Sequence, residues 1–229
     1  DTTLRNYPLN CESAEQIVRQ IADVEIDDKI SFVIKKTEEI MEDSEYQGVR
    51  LSLDAYLDKT RIPLKIDIST GDVITPCEIS FSYQLMFENR TIPLLAYPPE
   101  TVLAEKLETI LSRGEANTRL RDFYDVYILQ REDFVVTPDA LCHALLATCR
   151  KRGHEDLLHT YASILDRVRQ SDTMRTQWMK YQSDFDYAAG ITWDTVLDTV
   201  ETLCMKTLDD HAFGDELPQE ESQFEMHLL

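Results

Sequence analysis

The stretch that decides the fold comprises residues 98–129, PPETVLAEKLETILSRGEANTRLRDFYDVYIL, which read as two consecutive helices. Two prolines open the first helix, where the missing N–H of proline is no loss, and Gly114 after Arg113 gives a stop signal. The second helix covers about residues 119–130. Each helix carries apolar residues at helical spacing and is therefore expected to bury one stripe. The stripes are Val102, Leu103, Leu107, Ile110 and Leu111 in the first helix, and Leu120, Phe123, Tyr124, Tyr127 and Ile128 in the second.

Three charged residues lie among these apolar ones. Lys106 follows Leu103 by three residues, inside the first stripe, and Asp122 and Asp125 are three residues apart, on one face of the second helix. A half-buried amine or carboxylate costs free energy unless it is paired or bound to a ligand. The spacing alone leaves two interpretations open, an internal salt bridge between Lys106 and an aspartate, or a ligand site.

The segments LAEKLETILSRG and RDFYDVYIL resemble the paired C-terminal motifs of the AbiEii/AbiGii toxin family, the nucleotidyltransferase toxins of abortive-infection systems. The third motif of that family has the shape AEK…R, and its fourth is close to D-x-x-D-x-x-x-L. The matching residues are Ala104, Glu105, Lys106 and Arg113 in the first segment, and Asp122, Asp125 and Leu129 in the second. The two motifs at this separation are a more specific signal than either one alone.

A hairpin upstream carries a further acidic residue. Residues 49–57 and 62–69 alternate apolar and polar side chains, which is typical of two half-buried strands. Asp67 projects from the face opposite the apolar one. A solvated aspartate is one explanation; LKIDISTG, residues 64–71, also resembles the second motif of the family, a strand Asp followed four residues later by Gly.

The first residues resemble the end of the first motif of the family, an Asp-x-Asp pair followed by Thr-Thr. The chain begins Asp1-Thr2-Thr3-Leu4 without an initiator Met. The resemblance implies that Asp1 is the second aspartate of that pair, and that the first aspartate and a Gly-Ser turn precede this chain. We therefore expect the chain on its own to be catalytically inactive.

The resemblance implies a polymerase-β-like nucleotidyltransferase that uses Mg²⁺ and an NTP. Asp67, Lys106, Asp122 and Asp125 are the implied catalytic residues, Lys106 the implied nucleotide-binding residue, and Asp1 and Asp67 the implied metal ligands. Phosphoryl-type transfer depends on positioning and charge neutralisation, which explains a need for several carboxylates and a lysine. The implied acceptor is RNA, tRNA in some relatives, or protein, and the implied partner is a separate cognate antitoxin protein.

Composition restricts the location of the protein and the partners that it can attract. The chain of 229 residues has no run of about 18 apolar residues that would span a membrane. Its five cysteines are an odd number without a C-x-x-C pair, which favours reduced thiols and a cytoplasmic location. A net charge of −20 disfavours global attraction to nucleic acid, so any RNA contact must rest on a local basic patch. The candidate patches are Arg113, Arg119 and Arg121, or Arg150, Lys151 and Arg152, and the second is better explained as solvated surface.

The order of elements predicts an α+β fold, in which an antiparallel nucleotidyltransferase sheet precedes a C-terminal helical bundle. The predicted domains are a sheet domain over 1–97, a helical domain over 98–208 and an acidic tail over 209–229. Two other classes stay open: a non-enzymatic interaction domain whose Lys/Asp residues form a structural ion-pair network, and a carboxylate-dependent two-metal nuclease.

Overall fold

A computed structural model describes residues 2–4, 8–26, 28–41, 47–131 and 136–209. Within these ranges the chain forms strands first and helices afterwards, apart from one early helix. The strands are β1 (Thr2–Leu4), β2 (Ile30–Met41), β3 (Gln47–Leu57), β4 (Thr60–Thr70), β5 (Ile79–Gln84) and β6 (Thr91–Ala96). The helices are α1 (Cys11–Ala22), α2 (Pro99–Arg113), α3 (Leu120–Leu129), α4 (Pro138–Lys151), α5 (Leu157–Gln170), α6 (Asp172–Asp184) and α7 (Trp193–Leu208).

The chain divides into two compact units, Asp1–Val73 and Ile74–Leu229. The hairpin of β5 and β6 belongs to the second unit. The division falls before the boundary expected after residue 97, and the assignment of functional domains to 1–97 and 98–208 stays a prediction. The expected acidic tail lies outside the described residues from 210 onwards.

The first unit is a four-stranded sheet with α1 on one face. The strand order is β1-β4-β3-β2, with β1 parallel to β4 and the other neighbours antiparallel. Asp58 and Lys59 connect β3 to β4. The buried residues of this core are Ala14, Val18, Val49, Leu51, Leu53 and Ile68. Because side chains alternate along a strand, Arg50 and Asp67 lie on the opposite face of the sheet.

The second unit joins the β5–β6 hairpin to the six helices α2–α7. Its apolar core draws on every one of these helices, and α2 packs on α3, α4 and α5. The largest fully buried side chains include Trp178 of α6 and Phe123 of α3. The apolar stripe of α3 therefore faces the helical core, and this packing fixes where its polar residues lie.

The predicted fold class is confirmed: antiparallel-rich sheets precede a C-terminal set of helices. The two helices predicted within 98–130 and the hairpin predicted from 49–57 and 62–69 are present with small shifts at their ends. Three details differ. Strands β1 and β5 were not predicted, Thr60 and Arg61 lie in β4 and not in the turn, and β1 adds a parallel edge to an otherwise antiparallel sheet. No helix in the described ranges is long and apolar enough to cross a membrane.

Candidate functional site

A short connection between α2 and α3 sets the positions of their charged residues. Helix α2 ends at Gly114, whose φ of +48° is a left-handed conformation that glycine adopts without strain. One 3-10 turn leads to Asn117, which is fully buried. Its side-chain Oδ1 accepts a hydrogen bond from the backbone N–H of Arg119 at 2.7 Å, so a buried side chain fixes the start of α3.

Lys106 of α2 lies between the two aspartates of α3. Its Nζ donates to Oδ1 of Asp122 at 3.2 Å and to Oδ2 of Asp125 at 2.6 Å. The three side chains are only 20%, 15% and 20% exposed. The salt bridge that the spacing suggested is therefore present, and one amine serves two carboxylates in a largely dehydrated position. We call these three residues the Lys/Asp cluster.

The two carboxylates of this cluster differ in their remaining contacts. Oδ1 of Asp125 lies 3.7 Å from Nε of Arg121, whose side chain is mostly exposed. Oδ2 of Asp122 is buried and has no hydrogen-bond partner among the described residues. A buried carboxylate oxygen without a partner is costly. Oδ2 of Asp122 is therefore an acceptor atom that the described residues leave unused.

Asp122 also lines a cleft of about 540 Å³ between α3 and α6. We call it the α3/α6 cleft. Its other lining residues are Thr118, Arg119, Leu120, Arg121, Gln177, Lys180, Tyr181, Asp184 and Phe185. A volume of this size is in the range of small-molecule sites.

Asp67 lies in the first unit and is held by an arginine. Arg50, its cross-strand partner, donates from Nε and Nη2 to the two oxygens of Asp67, each at 2.7 Å. This hydrogen bonding is the main reason that the pKa of the Asp67 carboxyl is lowered from its ordinary value. Asp67 is therefore a carboxylate at neutral pH, with both of its oxygens engaged by one guanidinium.

A second polar group, formed by Thr3, Ser69 and Asp72, connects β1 to β4, the strand that carries Asp67. Thr2 of β1 pairs with Ile68, and Thr3 pairs with Ser69. The hydroxyls of Thr3 and Ser69 are 2.6 Å apart, and both hydroxyls donate to Asp72. The Thr-Thr segment and the strand that carries Asp67 therefore lie side by side in the sheet.

The described residues do not by themselves make a magnesium site. No group of three or more His, Cys, Asp or Glu side chains in the described part of the chain is arranged to hold a metal ion. Both oxygens of Asp67 accept from Arg50. Asp1, the other predicted ligand, lies outside the described residues. Mg²⁺ coordination by Asp1 and Asp67 thus stays a prediction.

Glu105 and Lys106 are neighbours in the AEK motif but take part in different networks. Oε1 of Glu105 lies 3.9 Å from Nη2 of Arg152. The same arginine pairs with Glu108, which is almost fully buried and also lies 2.6 Å from Nδ1 of His154. This second ionic group ties α2 to the end of α4, so it accounts for buried Glu108 as a structural residue.

The structure brings Lys106, Asp122 and Asp125 together and places Asp67 in the other compact unit. The catalytic roles of all four residues stay predictions. Sequence reasoning missed the pairing of Arg50 with Asp67, although the hairpin register could have revealed it. Leu57 pairs with Thr60 across the turn, and counting outward from that pair places Arg50 opposite Asp67.

Comparison with protein families gives one finding. The model of the family described as Nucleotidyl transferase AbiEii toxin, Type IV TA system, matches residues 7–199, which include Asp67, Lys106, Asp122 and Asp125. No significant match was found among curated proteins. None was found among solved structures.

Proposed function

Because the chain belongs to the AbiEii nucleotidyl transferase toxin family, we propose that it transfers a nucleotide from an NTP to an acceptor and that the Lys/Asp cluster takes part in the reaction. The family consists of nucleotidyltransferase toxins of type IV toxin-antitoxin systems. The observation that supports the proposal best is the cluster itself. It holds a largely buried lysine between two carboxylates, and one carboxylate oxygen has no partner in the described residues.

Lys106 is the proposed nucleotide-binding residue. A lysine is a mobile point charge that can exchange one anionic partner for another. When an NTP binds, the Lys106 ammonium can leave the carboxylates for phosphate oxygens, which neutralises charge that grows on the leaving pyrophosphate. The buried position strengthens this attraction, since water screens it poorly.

Asp122 or Asp125 is the proposed proton acceptor. In the proposed reaction a hydroxyl oxygen of the acceptor attacks the α-phosphorus of the NTP, the bond to pyrophosphate breaks, and the hydroxyl proton passes to a carboxylate. The unpaired Oδ2 of Asp122 suits this step better than the oxygens of Asp125, which contact Lys106 and Arg121. Moving Lys106 onto phosphate would also release Oδ1 of Asp122 for the same purpose.

Asp67 is a proposed ligand of the metal ion. Mg²⁺ would arrive with the NTP as part of the substrate, and Asp67 and Asp1 are the proposed ligands. Carboxylate oxygens are what Mg²⁺ prefers. Each Asp67 oxygen accepts one hydrogen bond from Arg50 and keeps a second lone pair for the metal. The guanidinium of Arg50 beside it would be a second cation for phosphate.

The biological setting follows the family. We propose that the acceptor is RNA, such as tRNA, or protein, that a separate antitoxin protein controls the toxin in the cytoplasm, and that the pair acts in abortive infection. A non-enzymatic interaction domain is the second candidate. It is favoured by the fact that Lys106 has two well-formed carboxylate contacts, as a structural ion-pair network would have.

A transfer assay separates the two candidates. The full-length protein is incubated with Mg²⁺, total RNA and each of the four α-labelled NTPs in turn, and label in RNA and in protein is measured. We expect transfer from at least one NTP, and its loss in Asp122→Asn. Asp194→Asn is the matched control, since the Asp194 carboxylate is 56% exposed and pairs with Arg175, which is not part of the cluster. Equal transfer by both variants, or none by the wild type, would contradict the proposal.

A further inference from the structure

Strand β2 forms a long outer edge of the sheet in the first unit. It has 12 residues, and among the described strands it pairs with β3 alone. The outer side of an edge strand presents backbone N–H and C=O groups with which another strand can pair. The opposite edge of the same sheet, β1, has only three residues. The sheet therefore offers one long edge, that of β2, to which a further strand could be added.

The charged residues of β2 are arranged with opposite signs about one central residue. Residues 33–41 read VIKKTEEIM, with two lysines before Thr37 and two glutamates after it. An antiparallel copy of the same strand, centred on Thr37, would place Lys36 of one copy opposite Glu38 of the other. The next pairs in sequence would again join Lys to Glu, and then Ile to Ile. The strand is thus complementary to itself in one antiparallel register.

A row of alternating charges across the sheet ends at this edge. Glu38 pairs with Arg50 on β3, and Arg50 pairs with Asp67 on β4. Residues that are paired across strands share a face, so all three side chains lie on the face opposite α1. The row is negative at Asp67, positive at Arg50 and negative at Glu38. The next position, beyond β2, suits a cation, and the second copy would place its Lys36 there.

The two central charges are accessible to a partner. Nζ of Lys36 lies 2.6 Å from Oε2 of Glu38, and the two side chains are 64% and 42% exposed. The hydrogen bond from Lys36 is the main reason that the pKa of Glu38 is lowered, and the charges of Arg50 and Lys65 add to the effect. An exposed ion pair of this kind contributes little to stability. Lys36 can therefore exchange Glu38 of its own chain for Glu38 of a second copy at little cost.

Charges on an edge strand more often keep other strands away. Charges of a single sign would do so here, because two copies would place like charges opposite each other. Charges that change sign at Thr37 instead select a register. A shift of the pairing by two residues would place Lys36 opposite Lys36 or Glu38 opposite Glu38, so only the register centred on Thr37 is attractive. The β-bulge between Ile34 and Lys36 lies outside the three central residues of that register.

We propose that the β2 strands of two copies of this chain pair antiparallel across a two-fold axis at Thr37. Lys36 of each copy then contacts Glu38 of the other, and two four-stranded sheets become one sheet of eight strands. Such an interface uses the same residues on both copies, as the two-fold axis requires. The axis is perpendicular to the sheet, so Asp67 of both copies lies on the same face. The inference concerns a surface of the molecule and does not rest on the proposed function.

The strength of the association follows from its size and charge. One strand and its neighbouring side chains form an interface below the area of permanent dimers, so we expect a weak dimer that depends on protein concentration. The net charge of −20 on each copy opposes association at low salt. At about 0.15 M salt the Debye length is about 8 Å, so charges far from the interface are screened while opposed charges in contact are not.

Sedimentation velocity of the full-length protein tests the proposal, at about 0.15 M salt and at concentrations from about 1 to about 200 µM. The wild type should shift from monomer to dimer within this range. Lys36→Glu and Glu38→Lys each place like charges opposite at two symmetric positions, so each should weaken self-association by roughly 4- to 900-fold. Lys59→Glu is the matched control, since Lys59 is an exposed lysine in the turn between β3 and β4 and should leave self-association unchanged.

A mixture of the two variants gives the most specific result. Lys36→Glu has a glutamate at both central positions, and Glu38→Lys has a lysine at both. One chain of each kind therefore has opposite charges facing each other at both symmetric positions. We expect the equimolar mixture to form a heterodimer with about the affinity of the wild-type homodimer. Simple destabilisation by either substitution could not be repaired by mixing.

The remaining outcomes decide against the proposal. A wild type that stays monomeric over the whole range would overturn it, and so would dimerisation that neither charge reversal weakens. Weakened self-association without recovery in the mixture would also overturn it, because the charges would then not face each other. If thermal unfolding shows that one variant does not fold, the chain that carries both Lys36→Glu and Glu38→Lys replaces the mixture. It restores both ion pairs and should dimerise as the wild type does; a monomer would contradict the register.

Discussion

Replacement of Lys106 by methionine should lower the free energy of unfolding by about 2–3 kcal/mol. Breaking a fully buried ion pair from one side costs about 3–5 kcal/mol, and an exposed pair is worth at most about 1 kcal/mol. With exposures of 20%, 15% and 20%, the Lys/Asp cluster lies nearer the buried limit. Arg121 stays near Asp125 but is mostly exposed, so it compensates little. For a chain of this size the loss corresponds to roughly 4–12 °C in Tm.

A second variant separates stability from chemistry. Combining Lys106→Met with Asp122→Asn and Asp125→Asn removes all three charges, and replacing a whole buried ion pair is often close to neutral. We therefore expect the triple variant to regain most of the lost stability while nucleotide transfer stays absent. Lys206→Met is the control for loss of a lysine elsewhere.

Urea unfolding of the full-length variants gives the stabilities, and label transfer from α-labelled NTPs gives the activities. Retained transfer by the stability-restored triple variant would refute the reasoning, because it would show that the cluster is a structural ion-pair network. If Lys106→Met unfolds with the same free energy as the wild type, only the expected loss of stability is refuted, and the proposed role in nucleotide transfer is not.

Two further predictions follow from the ionisable groups. Arg50→Ala should destabilise the protein by about 1 kcal/mol at neutral pH. The Arg50 hydrogen bonds lower the pKa of Asp67 in the folded state. This stabilisation is therefore complete above the pKa of the unfolded state and is lost as the pH falls through the pKa of the folded state. The difference in the free energy of unfolding between wild type and variant, measured with urea, should shrink in that acidic range. Among the thiols, exposed Cys77 should react first with a disulfide reagent at pH 8, and Cys77→Ser should remove that fast phase. Burial raises the pKa of Cys149 to about 12 and that of Cys204 to about 12, so both should react only after unfolding; rapid native labelling of either would contradict the packing.

The helices could be predicted from the sequence because their signals are local. Pro99 in the first turn, Gly114 at the end and the apolar spacing between them suffice for α2. The alternation of apolar and polar residues over 49–57 and 62–69 likewise predicted the hairpin of β3 and β4. Strand β5 was missed although its sequence, ISFSYQ, alternates apolar and polar residues in the pattern that marks a strand.

The candidate site could be predicted only in part. Lys106, Asp122 and Asp125 were found because charged residues on apolar helix faces must have partners. The bond between Arg50 and Asp67 depends on strand register, and the α3/α6 cleft depends on how α6 packs on α3. Gln177 lies far from Asp122 in sequence and carries no motif, so only the tertiary structure places both on one cleft.

The measurement that tests the central claim most directly is calorimetric binding of a non-hydrolysable NTP with Mg²⁺ to the full-length protein and to two variants, Asp67→Asn and Lys106→Met. We propose that nucleotide binding needs both Asp67 and Lys106. The wild type should therefore bind, each variant should lose at least about tenfold in affinity, equal to about 1.4 kcal/mol, and Lys206→Met should bind as the wild type does. Unchanged affinity in either Asp67→Asn or Lys106→Met would contradict the proposed role of that residue in nucleotide binding.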